Sequence, residues 1–342
     1  MQSLLQTKEW AELREKQGWK IHWVEGVLVL EKPLPFSLSF LYIPEVDFYK
    51  INFSKFLVKI NEISVKSQSI FTRFDFINQK NSFFGEKIIK ILKNLKLVKS
   101  FEEIQPEYRQ IIDISKSEEK ILAQMKPKGR YNIKIAQKSG LDIVAVGASH
   151  PVIANGSEAI YHDGLPRPLT NSGLAMTEGI DEFYEIFRET AKRDGFEIRP
   201  KQYFIDLMEI LNRDGLAQVL TIKYNGIAVA SGIITFYGDM ASYLYGASLS
   251  SYRNTMAPYL MHWEAIKLAK AKGCKFYDLL AVSPFSPNSQ LQTSNSSHKY
   301  EGITRFKEQF GGAKYMTVGS WDVIQKPCWY WLFKMVEIVR RK

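Results

Sequence analysis

The stretch at 218–248, QVLTIKYNGIAVASGIITFYGDMASYLYGAS, decides the fold. Three β-type runs are separated by two short breaks, Asn225-Gly226 and Gly238-Asp239. Asn-Gly suits the left-handed backbone of a two-residue hairpin turn, so the stretch predicts a three-stranded meander. Working outward, SLSSYRNTM at 248–256 reads as a loop. A helix follows, with Pro258 near its start, Leu260, Trp263 and Ile266 facing inward and Gly273 at its end. CKFYDLLAV, 274–282, reads as the next strand.

The order meander, loop, helix, strand resembles the core of the GNAT-type acyltransferase fold. A similar order runs through the first part of the chain. Thr7 can cap a short helix with Trp10, Leu13 and Gln17 on one side, ended by Gly18. Residues 21–44 read as two β runs around a Pro-containing turn. Phe53, Phe56, Leu57, Ile60 and Ile63 keep helical spacing within 48–66, and SIFTRFDF at 69–76 reads as a strand. The expected fold class is therefore α+β, two GNAT-like domains in tandem. Two stretches look like insertions: 147–176, rich in Gly, Pro and Asn, and 283–304, rich in Ser and Asn. Both read plainly as solvated loops, and the second is long enough to be a lid.

The length of 342 residues fits two such domains. With 45% hydrophobic and 24% charged residues the composition is that of a folded globular protein, which excludes disordered, collagen-like and coiled-coil classes. Two cysteines, Cys274 and Cys328, can make neither a disulfide framework nor a cysteine-rich zinc site, and each reads as packing. The N-terminus is too charged for a signal peptide, and no run reaches the ~18 apolar residues of a membrane span. A cytoplasmic protein is expected. The net charge of +10 favours an anionic partner without choosing among nucleic acid, a phosphorylated substrate and a membrane surface.

The five histidines form no metal-ligand spacing, and HExxH, GxSxG and Walker A patterns are missing. An enzyme here is expected to use no metal, no cofactor and no covalent intermediate. GNAT enzymes hold the CoA pyrophosphate on a Gly-rich loop before a helix, where free N–H groups meet the anion. The corresponding residues here, 248–258, hold no glycine, and bulky Tyr252, Arg253 and Met256 stand in their place. The topology suggests acyl transfer while this loop argues against CoA. Arg130, Lys134 and Lys138 fall at i, i+4 and i+8, one stripe on a helix ended by Gly140. A solvated face is the plain reading, and phosphate contact is the sharper one. Arg199 precedes a helix opened by Pro200, with Tyr203 four residues on. An arginine fork can bond two phosphate oxygens. In RFKEQFGGAKY, 305–315, Arg305 and Lys307 flank Phe306, a pattern that reads as a strand edge or as one fixed cation at an active site.

Taken together these segments resemble the FemABX family of peptidoglycan-bridge aminoacyltransferases. The resemblance rests on TKEWAEL with Gly18-Trp19, TRFD at 72–75, IIDIS at 111–115 and MKPKGRYNIKIAQKSG at 125–140. It continues through RDGFEIRPKQYF at 193–204, YLYGAS at 243–248, APY at 257–259, YDL at 277–279 and RFK at 305–307. It implies transfer of an amino acid from aminoacyl-tRNA to the stem-peptide amine of a lipid-linked or UDP-linked muropeptide precursor. It also implies domain 1 at 1–107 plus 317–342 and domain 2 at 108–316. Lys307, after Phe306, matches the family's catalytic lysine, and Asp75 matches an acidic residue near the acceptor. Arg199 matches the arginine on the precursor diphosphate, and Tyr203 and Tyr245 match tyrosines lining the precursor site. A first-helix lysine that some members use for the diphosphate aligns with Glu12, a departure that leaves Arg14 or Lys16 as substitutes. The helical arm that some members insert for tRNA has no counterpart. Competing expectations are a CoA-dependent GNAT acyltransferase and a non-enzymatic RNA-binding module. The tail, 328–342, is apolar and then cationic. It reads as a helix docked on domain 1, with a peripheral contact at the inner face of the membrane as the alternative.

Overall fold

The computed structural model describes residues 2–147, 152–154, 161–162, 165–166, 172–283 and 301–340, with 152–154, 161–162, 165–166, 172–175 and 301 described by backbone alone. The chain forms two compact units, Met1–Tyr108 with Tyr315–Lys342, and Arg109–Lys314.

In the first unit, α1 (Lys8–Lys16) leads into β1 (Lys20–Val24), β2 (Val27–Pro33) and β3 (Ser39–Val46). The Thr7 hydroxyl accepts from the Trp10 amide and caps α1. Three strands form where the sequence reading expects two. The unexpected break is Glu25-Gly26, both at positive φ (49° and 76°), a tight hairpin turn whose first residue is not one that announces it. The remaining elements before the crossover are α2 (Phe53–Lys66), β4 (Ser69–Gln79), α3 (Phe83–Asn94) and β5 (Val98–Lys99). Phe53, Phe56 and Ile60 form the buried stripe of α2, while Val58 and Val65 face water.

The second unit runs through β6 (Tyr108–Asp113), α4 (Glu118–Gln124), α5 (Pro127–Lys138), β7 (Leu141–Val146), β8 (Val152–Ala154), α6 (Ser172–Asp194) and α7 (Lys201–Arg213). The meander follows as β9 (Ala217–Tyr224), β10 (Ile227–Tyr237) and β11 (Met240–Ser248), then α8 (Ala257–Ala271), β12 (Phe276–Ala281) and α9 (Glu301–Lys307). β13 (Ala313–Ile324) and α10 (Pro327–Arg340) return to the first unit.

The two insertions expected from sequence are narrower than drawn. α6 begins at Ser172 and α9 at Glu301, inside the stretches assigned to loops, and most of what lies between falls outside the described residues. Arg305, Phe306 and Lys307 sit on α9, not on a strand edge: the residues step round a helix, so the alternation of cation and aromatic is not a pleat.

Each unit carries its own sheet. The first has the order β1-β2-β3-β4-β13, with β5 also pairing with β13. β3 and β4 run parallel and the other pairs antiparallel. The second has the order β6-β12-β11-β10-β9-β7-β8, with β11 and β12 parallel. In both, the parallel pair is joined by a helix, as in a GNAT core. In the second unit α8 packs Leu260, Met261, Trp263 and Ile266 into a core with Ile112, Ile234 and Tyr277. Burying such side chains is worth about 1.5–3 kcal/mol each.

An ion cluster pins the centre of the first sheet. Arg73 on β4 is fully buried directly opposite Asp322 on β13. Its Nε and Nη2 donate to the two Asp322 carboxylate oxygens at 2.7 and 2.8 Å, and Nη1 donates to Glu102. Phe71 and Phe101 lie over the guanidinium at 4.9 and 5.0 Å. The Tyr330 hydroxyl donates to Asp322 at 2.8 Å and ties α10 to the same cluster. Asp322→Ala strands a buried guanidinium, so it is expected to lower the unfolding free energy of this unit by about 3–5 kcal/mol in urea denaturation. A loss below about 1 kcal/mol would contradict the assignment.

Candidate active site

β11 and β12 pair over only three positions, Met240–Ser242 with Phe276–Asp278, and then part. Each strand carries an irregularity just beyond the last shared pair. On β11, Tyr243 and Tyr245 stand opposite the adjacent residues Ile234 and Ile233, so Leu244 is one residue too many. Such a bulge reverses the side-chain parity of the strand. Tyr245 therefore turns to α6 and α7, and Tyr243 turns to α8.

On the first of these faces the Tyr245 hydroxyl meets that of Tyr203 at 3.0 Å, and its ring packs against Phe187 and Phe204 at 6.0 and 5.1 Å. Arg199 lies just ahead of α7, with its guanidinium 4.6 Å from the Tyr203 ring centroid. The side chain is exposed, and among the described residues it has no ion-pair or hydrogen-bond partner. Arg199, Tyr203 and Tyr245 thus form one cluster, a held cation beside two hydroxyls.

On the other face lies Lys307. It is 4% exposed, and its Nζ donates to the Ala281 carbonyl at 2.8 Å. That carbonyl is presented by the irregularity in β12, where Asp278 pairs with Ile111 but Ala281 with Arg109. Leu280 takes a left-handed φ of 57°, and the Asp278 carboxylate accepts from its amide at 2.7 Å, which fixes the turn. Arg109 Nη1 donates to the same carboxylate at 3.3 Å. Burial pulls the Lys307 ammonium down to about 8, against the opposing pull of the Asp278 charge.

Phe306 stacks beside this lysine on Tyr259, Phe310 and His262, at 5.0, 5.3 and 5.4 Å between centroids. His262 is fully buried. Its Nδ1 bonds the Tyr277 hydroxyl at 3.0 Å, Tyr243 lies 4.4 Å away between centroids, and Nε2 has no partner among the described residues. Burial, and then the charge of Lys307, hold the imidazole down to about 3, so it is neutral at physiological pH. The buried Lys307 ammonium thus lies near a neutral imidazole, with the Asp278 carboxylate as its opposing charge.

The sequence reading does not single out His262, Tyr243 or Asp278. A signal existed: His262 interrupts the apolar face of a helix otherwise hydrophobic almost all round, and a buried polar residue there needs partners.

The remaining sequence candidates are placed elsewhere. Arg130 does not join a solvent stripe: it is half-buried, and its guanidinium donates to the Met125 carbonyl. Lys134 and Lys138 are exposed. The N-terminus of α5 instead braces the residues after Lys307. The Lys126 amide donates to Gln309 O at 3.0 Å, its ammonium pairs with Glu308 at 2.9 Å, and Gly129 approaches so closely that a Cβ would lie 2.3 Å from Gln309 O.

Asp75 belongs to the other unit. It is buried, with the Tyr42 hydroxyl donating to one oxygen at 2.5 Å and the Ser320 hydroxyl to the other. Burial lifts its carboxyl to about 6, against the lowering pull of those hydrogen bonds. Both oxygens are engaged in joining β3, β4 and β13.

Glu12 is half-buried. Arg14, a substitute cation in the sequence reading, is buried against Trp10 and Trp19 at 4.7 and 5.8 Å, with Nη1 on Gln17. Lys16 is exposed. Cys274 lies in the core as expected, whereas Cys328 is exposed on the first turn of α10.

The family model described as the FemAB family matches residues 77–225 and 211–338. Among curated proteins, the lipid II:glycine glycyltransferase of Staphylococcus haemolyticus is 22% identical over 98% of this chain and 91% of that protein. That of Staphylococcus aureus (strain MRSA252) is 21% identical over the same shares. Among solved structures, the crystal structure of FemX superposes with a TM-score of 0.74 at 20% identity, covering 96% of this chain and 94% of that one. The C-terminal domain of a putative lysylphosphatidylglycerol synthetase from Agrobacterium fabrum gives 0.55 at 11% identity, covering 97% and 91%. With two GNAT-like units and a family match across most of its length, this chain belongs to the FemAB family and is an aminoacyltransferase.

Proposed function

We propose that the protein transfers an amino acid from aminoacyl-tRNA to the stem-peptide amine of a lipid-linked muropeptide precursor, building the peptidoglycan interpeptide bridge. The observation that carries this reading is Lys307, a buried ammonium that donates to the Ala281 carbonyl, with the Asp278 carboxylate as its opposing charge. An aminoacyl ester is already activated, so no enzyme nucleophile is required. The acceptor amine attacks the ester carbonyl, and a tetrahedral oxyanion forms. The C–O bond to the ribose then breaks, the amide remains, and one amine proton ends on the departing tRNA hydroxyl. The enzyme's work is to align the reactants and to stabilise the oxyanion. A preorganised cation in a desolvated site suits the second task, and Phe306 keeps water from it. Arg199 grips the precursor diphosphate while Tyr203 and Tyr245 line its seat. We give Asp75 a structural part, holding Tyr42 and Ser320 in place.

The donor is read as tRNA rather than CoA because the residues before α8 leave no cradle for a pyrophosphate. Ser250–Thr255 forms a 3₁₀ turn, Tyr252 and Met256 pack against the core, and Met256 takes the left-handed conformation that a glycine would fill. The lipid-linked acceptor is preferred because the curated relatives are named for lipid II.

Incubation with a mixture of charged tRNAs and either lipid-linked or UDP-linked muropeptide, read by mass spectrometry, is expected to give an aminoacylated muropeptide. Formation of an acetylated product with acetyl-CoA, or tRNA binding with no transfer, would overturn the reading. Arg199→Ala is expected to raise the KM for the acceptor by about tenfold or more with a smaller effect on kcat, as loss of a charge-assisted bond requires. The Lys307 ammonium exists below its pKa of about 8 and is lost above it, so kcat is expected to fall as pH rises through about 8. A rate that climbs through that range would make the neutral amine the active form and contradict the assignment.

A further inference from the structure

We propose that α10 and the turn carrying Phe36 form a surface that lies in the interface of an anionic bilayer. The helix has apolar side chains on both of its faces. Its inner face is fixed by Tyr330, bonded to Asp322 and packed on Phe71 and Phe101 at 5.4 and 5.9 Å, and by Phe333 against Phe40 and Phe71 at 5.6 and 5.3 Å. Its outer face is Trp331, Leu332, Met335, Val336, Ile338 and Val339, all exposed, with Trp331 at 57% and Val339 at 73%. On a helical wheel these six fall within one half of the circumference, and no charged residue falls among them. A surface helix of a water-soluble unit shows the reverse pattern, polar outward. A contiguous exposed apolar face of this kind marks an interaction surface.

A second observation extends the patch. Phe36 is 82% exposed, the most exposed large hydrophobic side chain among the described residues, and its ring lies 5.8 Å from that of Trp329. Phe36 and Ser37 both take left-handed backbone, with φ of 62° and 55°. Two successive non-glycine residues in that region cost free energy, and such strain persists where it serves a purpose. Here it holds an aromatic wedge out of the protein beside the apolar helix.

Charge selects the occupant. From Lys326 to Lys342 the sequence holds five cations and one carboxylate, Glu337, and Glu337 is paired with Arg340 at 2.9 Å. Lys334 sits at the rim over Trp331 and Phe101, at 4.7 and 5.8 Å. An apolar face with basic residues around it is the pattern of a helix lying on anionic lipid, its apolar side chains among the acyl chains and its cations at the headgroups. A second copy docked on the same face would bring five more cations against these. With 14 residues the helix is about 21 Å long, short of the ~30 Å hydrocarbon core, and no described helix is long and apolar enough to cross a membrane. The helix therefore lies on the bilayer. The surface stands on its own geometry, while its use, to bring the enzyme to a lipid-linked acceptor, rests on the reading under Proposed function.

Truncating the tail would remove Tyr330 and open the core, so the test uses substitutions on the outer face. Full-length protein and the variant Trp331→Ser/Met335→Ser/Val339→Ser are sedimented with phosphatidylcholine vesicles and with vesicles containing added phosphatidylglycerol, without any precursor lipid. A near-UV circular dichroism spectrum identical to the parent's establishes that the variant is folded. The parent is expected to bind the anionic vesicles more tightly than the neutral ones, and the variant about tenfold or more weakly than the parent. Phe36→Ser alone is expected to weaken binding in the same direction. Equal vesicle binding by parent and variant would overturn the proposal, as would a parent dimer that the three substitutions abolish. Because the vesicles carry no acceptor, a failure here is separate from a failure of the acceptor assignment.

Discussion

The site depends on the parting of two parallel strands. β11 and β12 share three residue pairs and then diverge, and each strand departs from regular pairing immediately after the last pair. The extra residue on β11 sends Tyr243 and Tyr245 to opposite faces, so one strand serves two clusters. The left-handed turn at Leu280 on β12 aims the Ala281 carbonyl at Lys307. Without the divergence the strands would satisfy each other's backbone groups, and neither carbonyl nor aromatic wall would be available to a cation.

Burial then decides the chemistry of that cation. An ammonium in a polar surface cluster would keep its ordinary charge and be screened by water. Lys307 is removed from water and held by one carbonyl, with Asp278 as the opposing charge, so its charged form is kept but weakened. His262, equally buried and next to it, gives up its charge altogether. Two neighbouring basic side chains thus resolve into one cation and one neutral ring. The brace from α5 through Lys126 and Gly129 to Glu308 and Gln309 keeps α9 in register beneath it. The other unit places its buried charge differently. Arg73 is saturated by Asp322 and Glu102 and serves architecture, anchoring through Tyr330 the helix whose outer face is apolar.

Much of this was legible in the sequence where local chemistry and tertiary demand agree. Asn225-Gly226 announced its turn, and the spacing of Phe53, Phe56 and Ile60 announced its helix. Glu25-Gly26 did not, because glutamate enters left-handed backbone only when the flanking strands impose it. RFK reads as well as a strand edge as a helix end, because three residues are too few to tell the two apart. Lys307, Arg199 and the two tyrosines are candidates in the sequence through resemblance and local context. The strain at Leu280, the Tyr277–His262 bond and the burial of Lys307 were not visible, since all three depend on contacts between residues distant in sequence. Arg130 shows the same limit from the other side: its spacing with Lys134 and Lys138 was right, but a carbonyl one turn back claims its guanidinium.

The most direct test of the account is the chemical step of Lys307→Met, measured by rapid mixing of the enzyme–acceptor complex with excess aminoacyl-tRNA and reported beside the Kd for the acceptor. Methionine keeps the apolar reach of lysine and removes the charge together with the bond to the Ala281 carbonyl. The account predicts a single-turnover rate constant lower by about 10²–10³ with the acceptor Kd unchanged, the loss expected when one oxyanion stabiliser is removed. A rate constant within about threefold of the parent's, at the same Kd, would show that the buried ammonium is not what stabilises the transition state.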